Sequence, residues 1–264
     1  MISRKSISLG SRTITSLILC ATFVFSLAFV DWSDLIPHGG GATMLEVMLR
    51  EIISLELSSE FVKVSLRASF ITLSYALCSI SLAIIFGLIG GILASGGLFS
   101  GFLAKVLGIS LFRALLAILR SIHELIWAWL IAVSLGFSPI SGVIALAIPY
   151  GAILARVYAD FLNDVPQAPL SALRSSGASS FQTMLYGRLP QAAREMFSYG
   201  FYRFECCVRS ASVLSFIGLQ GLGYQIGVSL DDLKFGEVWT LLAFLIGLIV
   251  LIDYWGSLLR RSLS

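Results

Sequence analysis

Five charged residues lie well inside long apolar stretches of this sequence. They are Arg120, Glu124, Arg203, Glu205 and Arg209. An ionisable side chain within a membrane segment is costly, so it generally has a charged partner or a function. Arg120 and Glu124 are four residues apart, which places them on one face of a helix. The same spacing separates Glu205 from Arg209.

These charges have two interpretations. Internal ion pairs would fix the packing of helices, or the arginines would line a polar pathway that tolerates a small dianion. We favour an ion pair between Glu205 and Arg209, with Arg203 as the residue that meets an exiting substrate. Other charged residues lie nearer the ends of the apolar stretches and are expected to snorkel or to be structural. These are Arg67, Arg113, Arg156, Asp160 and Asp253.

The sequence lacks the motifs of nucleotide binding and of enzyme catalysis. It contains no G-x-x-x-x-G-K-[ST] loop, no H-E-x-x-H and no G-x-S-x-G. The two histidines, His38 and His123, are far apart, and the four cysteines form no C-x-x-C pair. We therefore predict no catalytic residue, no metal and no cofactor bound by this chain. An energy source for uphill transport would have to be another chain or an ion gradient.

Composition identifies the protein class that must hold these charges. The chain has 264 residues, of which 57% are hydrophobic and 12% charged, and its mean hydropathy is +0.92. These values exclude a water-soluble enzyme and a nucleic-acid-binding domain. Apolar runs of about 20 residues predict an all-α membrane protein. The six predicted spans are 14–30, 67–95, 109–134, 139–160, 197–220 and 238–257.

The distribution of basic residues predicts the orientation. Nine basic residues flank the spans on one side and three on the other, so both termini are expected in the cytoplasm. The first group is Arg4, Lys5, Arg12, Lys105, Arg174, Arg188, Arg194, Arg260 and Arg261; the second is Arg50, Lys63 and Lys234. Alternatively, the first span is a signal peptide cleaved after Ser26-Leu27-Ala28, which would leave five spans.

The N-terminal region 1–66 is expected to combine the first span with an external amphipathic segment. After Gly39-Gly40-Gly41, apolar residues from Met44 to Leu55 recur at helical spacing among charged ones. This helix would pack on the other spans or dock a partner. Residues 67–264 would form the core of the protein.

The cytoplasmic loop 161–196 has a pattern of its own. Pro166 and Pro169 are expected to end one helix and start a short one, which Gly177 stops. A second helical stretch, 179–187, is predicted to end before Pro190. The glycine turn would hold the short helix at the inner face of the membrane.

This loop resembles the coupling-loop signature of ABC-importer permeases, E-A-A-x3-G-x9-I-x-L-P. Four positions match in register, namely Ala172, Gly177, Leu189 and Pro190. Ser171 replaces the glutamate, Leu173 the second alanine and Gly187 the isoleucine. The segments LRSIHELIWAWL (119–130) and YRFECCVRSASVLSFIGLQGLGYQI (202–226) resemble phosphonate-type members of the family, as does LRSSGASSFQTMLYGRLPQ within the loop.

The resemblance implies a type I ABC-importer permease core that works as a homodimer in the bacterial inner membrane. Two copies of a separate ATPase, which would hold ATP and magnesium, are implied to dock on the six loop residues. Those residues are Ser171, Ala172, Leu173, Gly177, Leu189 and Pro190. A soluble binding protein would deliver a phosphonate, phosphate or phosphite from outside, and membrane lipid would surround the spans.

Two rival functions stay open from the residues alone. An ion-coupled secondary transporter would use Glu124, Glu205 and Asp253 as coupling carboxylates, and would typically show an inverted repeat, which we do not find. An intramembrane enzyme would need a base beside Ser210 or Ser212, and no histidine is an evident partner.

Overall fold

The computed structural model describes residues 9–30, 40–98 and 102–263. The chain divides into two units, Met1–Arg50 and Glu51–Ser264. The basic residues Arg4 and Lys5, together with His38 and Gly39, lie outside the described residues. Throughout the described part the regular structure is helical, as predicted.

The first unit contributes α1 (Leu9–Leu27) and α2 (Gly41–Arg50). The predicted amphipathic helix extended to Leu55, whereas α2 ends at Arg50, which is a correction. Residues 51–58 belong to the second unit and are held there by hydrogen bonds to Gly236. The Gly236 amide donates to the Glu51 carboxylate at 2.8 Å, and the Glu56 amide donates to the Gly236 carbonyl at 3.4 Å. These tertiary bonds replace the next helical turn.

The second unit contains eight labelled helices. They are α3 (Ser59–Ser95), α4 (Phe102–Ser121), α5 (Glu124–Leu135), α6 (Pro139–Asp164), α7 (Gln167–Ser175), α8 (Leu189–Leu214), α9 (Leu222–Asp231) and α10 (Phe235–Leu263).

Long apolar helices dominate this unit. Ser59–Ser95, Pro139–Asp164 and Phe235–Arg261 are each long and apolar enough to cross a membrane. Two bent helix pairs raise the number of candidate spans to five. The remaining predicted span, 14–30, corresponds to α1, of which Thr13–Leu27 forms a shorter apolar helix.

Helices α3 and α6 form the centre of the core. A Cβ atom added at Gly87 would lie 2.7 Å from the Leu154 Cβ, and one at Gly91 would lie 2.8 Å from the Tyr158 Cβ. The missing side chains therefore let the two helices approach more closely than larger residues would permit. These glycines are packing positions, as small residues between membrane helices commonly are.

The predicted third span, 109–134, is not one helix. It breaks between α4 and α5, whose axes differ by 87°. The His123 Nδ1 caps α5 by accepting a hydrogen bond from the Leu125 amide at 3.3 Å. The Trp127 indole donates across the bend to the Leu119 carbonyl at 3.2 Å. The apolar composition predicted a span correctly, and these hydrogen bonds stabilise the break within it.

The predicted fifth span, 197–220, is also interrupted. Helix α8 ends at Leu214, and a 3-10 turn at Ser215–Ile217 leads to Gly218, whose φ is +102°. Helix α9 follows at a bend of 40°. Its first amide, at Leu222, donates to the buried Thr72 hydroxyl of α3 at 2.9 Å. This contact satisfies one of the free amides at the start of α9.

Candidate functional site

A polar cavity lies where the break between α4 and α5 faces the middle of α6 and α8. Its volume is about 260 Å³. The wall of the cavity is formed by residues of α4, α5, α6 and α8 and by the break between α4 and α5. The lining residues are Arg120, Ser121, Ile122, His123, Glu124, Pro149, Tyr150, Ile153 and Arg203.

The carboxylate of Glu124 anchors one side of this cavity. Glu124 is the first residue of α5, where the helix dipole favours a negative charge. Its Oε1 accepts a hydrogen bond from the Ser210 hydroxyl at 2.7 Å, and that hydroxyl is 2.9 Å from the Tyr150 hydroxyl. Its Oε2 lies 3.7 Å from the His123 Nε2, beyond hydrogen-bond distance. A fixed hydrogen-bond chain therefore joins α5, α8 and α6, and it leaves Oε2 free to accept.

Arg203 is held on another side of the cavity by two tyrosines. Its guanidinium carbon lies 5.2 Å from the ring centre of Tyr199 and 5.6 Å from that of Tyr202. Its Nε and Nη2 donate to the Tyr199 hydroxyl at 2.9 and 2.7 Å. Both rings stabilise the cation without neutralising it. Its positive charge thus remains available to an anion.

Arg120, at the C-terminal end of α4, is the second cation of the cavity. No hydrogen bond or ion pair ties it to another described residue, and it is exposed. With Arg203 it gives the cavity two arginines against one carboxylate. Arg120 and Glu124 do not form the ion pair that is one of the two interpretations of their spacing, because the helix breaks between them and Glu124 is bonded to Ser210 instead.

The predicted ion pair between Glu205 and Arg209 is also wrong. Glu205 is buried and pairs with Arg260 of α10, whereas the Arg209 guanidinium lies 3.8 Å from the Asp253 carboxylate of α10. The i, i+4 spacing of Glu205 and Arg209 on α8 did not decide the pairing, because each residue has an oppositely charged neighbour on α10. Glu205 and Arg209 do not line the cavity.

Sequence reasoning missed three members of the site. The sequence marks His123 only as one of two distant histidines, although it stands next to Glu124. The sequence marks Ser210 only as a nucleophile for the rival intramembrane enzyme, and Tyr150 carries no signal beyond its place in an apolar run. A hydroxyl group in the middle of a span needs a hydrogen-bond partner. For Ser210 and Tyr150, only the tertiary structure shows which residue that partner is.

The loop after α6 forms a second structured feature. Pro166 precedes α7, and Gly177 follows it with a φ of +90°. The Ala178 amide donates to the Leu173 carbonyl at 3.1 Å and the Gly177 amide to the Arg174 carbonyl at 3.0 Å, which closes the end of the helix. Ser171, Ala172 and Gly177 are exposed. The short helix and glycine turn predicted for this loop are thus present.

The second part of the loop differs from the prediction, which ended a helix before Pro190. A helical turn at Ser180–Gln182 continues as a π-helix at Thr183–Arg188 and then directly into α8. Pro190 is accommodated because the first turn of a helix does not need its amide. Gly187 faces α7, and a Cβ there would lie 2.7 Å from Leu170 Cδ2 and 3.0 Å from Leu173 Cδ1.

Long apolar helices, two broken spans, a charged cavity and an exposed loop helix together define a membrane permease. Sequence similarity to known proteins identifies the family. Residues 94–264 match the binding-protein-dependent transport system inner membrane components, and the chain belongs to that family. It is therefore a transport subunit of an inner-membrane ABC importer and not an enzyme.

Named relatives are similar to this chain in sequence, and a solved structure is similar to it in fold. The chain is 28% identical over 190 residues to the phosphite transport system permease protein PtxC of Stutzerimonas stutzeri, covering 72% of this chain and 68% of that protein. It is 29% identical over 151 residues to the phosphate-import permease protein PhnE of Mycolicibacterium smegmatis, covering 57% of this chain and 28% of that protein. An inward-facing MetNI methionine ABC transporter chain shares the fold, with a TM-score of 0.68, 21% identity, and coverage of 79% of this chain and 100% of that one.

Proposed function

We propose that this permease imports phosphonates or related phosphorus oxyanions such as phosphate and phosphite. The observation that carries the proposal is the cavity between α4, α5, α6 and α8, in which Arg120 and Arg203 face one carboxylate. Two cations that line one cavity attract a small dianion. The names of the relatives, which include phosphite and phosphate permeases, support this substrate class.

The loop helix α7 would couple the permease to its ATPase. Its exposed surface includes Ser171 and Ala172, and its inner surface rests on the fully buried Leu170 and on Leu173. A short amphipathic helix of this kind fits a groove on a partner. Leu189 and Pro190 begin α8 directly behind it, so a push on α7 would reach the helix that carries Arg203.

The assembly would contain two copies of this chain, two ATPase subunits that hold ATP and magnesium, and an external binding protein. Both termini would be cytoplasmic, and the spans would contact membrane lipid. An ion-coupled mechanism finds less support. Of its three carboxylates, Glu205 and Asp253 lie next to arginines of neighbouring helices.

The test is uptake into proteoliposomes that contain the permease, its ATPase and its binding protein. We expect ATP-dependent uptake of labelled phosphate, phosphite or methylphosphonate, and at least about a tenfold slower uptake in Arg203→Gln and Arg120→Gln. Arg156→Gln is the matched control, because Arg156 pairs with Asp160 on α6 at 3.3 Å, outside the cavity. Unchanged uptake in both cavity variants contradicts the proposal, and uptake without ATP supports the ion-coupled alternative.

A further inference from the structure

The position of Glu124 places a constraint on any anion in the cavity. A bound oxyanion that reaches Arg203 or Arg120 also comes near the Glu124 carboxylate, since all three residues line the same cavity of about 260 Å³. Two negatively charged oxygens at close range repel each other. The repulsion becomes an attraction only if a proton lies between the two oxygens.

The carboxylate is oriented to receive such a proton. Its Oε1 is already occupied by the Ser210 hydroxyl, which Tyr150 holds in turn. Among the described residues its Oε2 accepts no hydrogen bond, and the His123 Nε2 lies 3.7 Å from it, beyond hydrogen-bond distance. His123 Nδ1 accepts from the Leu125 amide, so Nε2 carries the hydrogen of the neutral ring. Oε2 is thus an unoccupied acceptor on a residue that lines the cavity.

Small oxyanions differ in whether they keep an O–H group that can donate a hydrogen bond to Glu124 Oε2. Phosphate keeps at least one O–H at neutral pH, and the monoanions of phosphite and of an alkylphosphonate keep one as well. Sulfate has the same shape and charge as hydrogen phosphate but no proton. It would leave the carboxylate facing an oxygen lone pair, unpaired and repelled.

Resting on the proposed function, we infer that Glu124 is a specificity-determining residue of the pathway. Its Oε2 accepts a hydrogen bond from an O–H of the substrate, so the cavity takes oxyanions that keep a proton and rejects sulfate-like anions. The arginines supply attraction for any anion, and Glu124 supplies the discrimination. Ser210 and Tyr150 are positioning residues, because they act through the orientation of Glu124.

The experiment measures anion binding to the full-length permease, purified in detergent without ATPase or binding protein, so that their own anion sites do not contribute. Equilibrium dialysis with labelled phosphate and labelled sulfate gives the ratio of the two dissociation constants. We expect the wild type to prefer phosphate by at least about tenfold, the effect of one hydrogen bond to a charged group. In Glu124→Gln the ratio should fall to about threefold or less, because an amide N–H can donate to a sulfate oxygen.

Two further variants separate the possible failures. Glu195→Gln changes an exposed glutamate of α8 outside the cavity and should keep the wild-type ratio. Arg203→Gln should weaken the binding of both anions. A wild-type ratio near one, together with Arg203-dependent binding, overturns the role of Glu124 and leaves the proposed function standing. Anion binding that does not depend on Arg203 argues against the proposed function itself.

If Glu124→Gln fails to fold, the role of Glu124 can still be tested. The wild-type preference is measured without any variant, and Glu124→Asp keeps the carboxylate and should keep a preference for phosphate. An unchanged ratio in a folded Glu124→Gln overturns the inference.

Discussion

The buried carboxylate of Glu205 accepts a hydrogen bond from the guanidinium of Arg260, 55 residues further along the chain. Gly256 of α10 makes this approach possible, because a side chain at that position would collide with the Glu205 carboxylate. The pair ties the C-terminal part of α10 to the middle of α8. It therefore fixes one of the four helices that surround the polar cavity.

Loss of Arg260 should destabilise the protein more than loss of Arg209. Arg260→Gln leaves a buried carboxylate without its partner, which costs ~3–5 kcal/mol. Arg209→Gln is the matched control and should cost less, because the Arg209 and Asp253 side chains are about half exposed and 3.8 Å apart. Thermal unfolding of the purified variants in detergent measures both. A larger effect for Arg209→Gln would contradict the pairing.

The turn after α7 should require a left-handed backbone and not an absent side chain. Gly177 has a φ of +90°, and a Cβ there would have nothing within 4 Å. Gly177→Leu should therefore reduce ATPase stimulation by the loaded binding protein through backbone strain, whereas Gly177→Asn should retain more of it, because asparagine tolerates this conformation. Stimulated ATPase activity of the reconstituted complex is the measurement. Equal activity of the two variants would speak against strain as the cause.

Leu173 and Gly187 should behave as a compensating pair. Leu173 is larger than the alanine of the coupling-loop signature, and Gly187 is smaller than its isoleucine; the two residues face each other. Gly187→Ile alone would overpack this contact, at a cost of ~1–3 kcal/mol, and would displace α7. Leu173→Ala should recover part of the loss when the two changes are combined. Melting temperature and stimulated ATPase activity of the single and double variants test this, and strictly additive losses would count against direct packing.

His123 should act first as a helix cap. His123→Ala removes the acceptor of the Leu125 amide and should destabilise the protein by about 1 kcal/mol, whereas His123→Asn can cap α5 in its place. Thermal unfolding separates the two variants. If they are equally destabilised, the imidazole contributes something other than the cap.

The C-terminus should be cytoplasmic, since nine basic residues flank the spans on one side and three on the other. A reporter that is active only in the cytoplasm, fused after Ser264, should work. Activity of a reporter that requires the periplasm would mean that the number of spans differs from six.

The sequence by itself determined the membrane class, the approximate spans, the glycine turn at Gly177 and the family, because hydropathy and motif spacing are local properties of the chain. Arg120, Glu124 and Arg203 could be singled out in the same way, since a charge in an apolar run is visible without a structure.

Only the tertiary structure decided which charges meet. Glu205 and Arg209 share a helix face, yet each lies next to a residue of α10, and Glu124 is bonded to Ser210 rather than placed beside Arg120. The energy of an ion pair depends on distance, burial and competing partners, and the packing of separate helices sets all three. The break at His123 follows the same principle, because the Trp127–Leu119 hydrogen bond that crosses it forms only after the chain has bent.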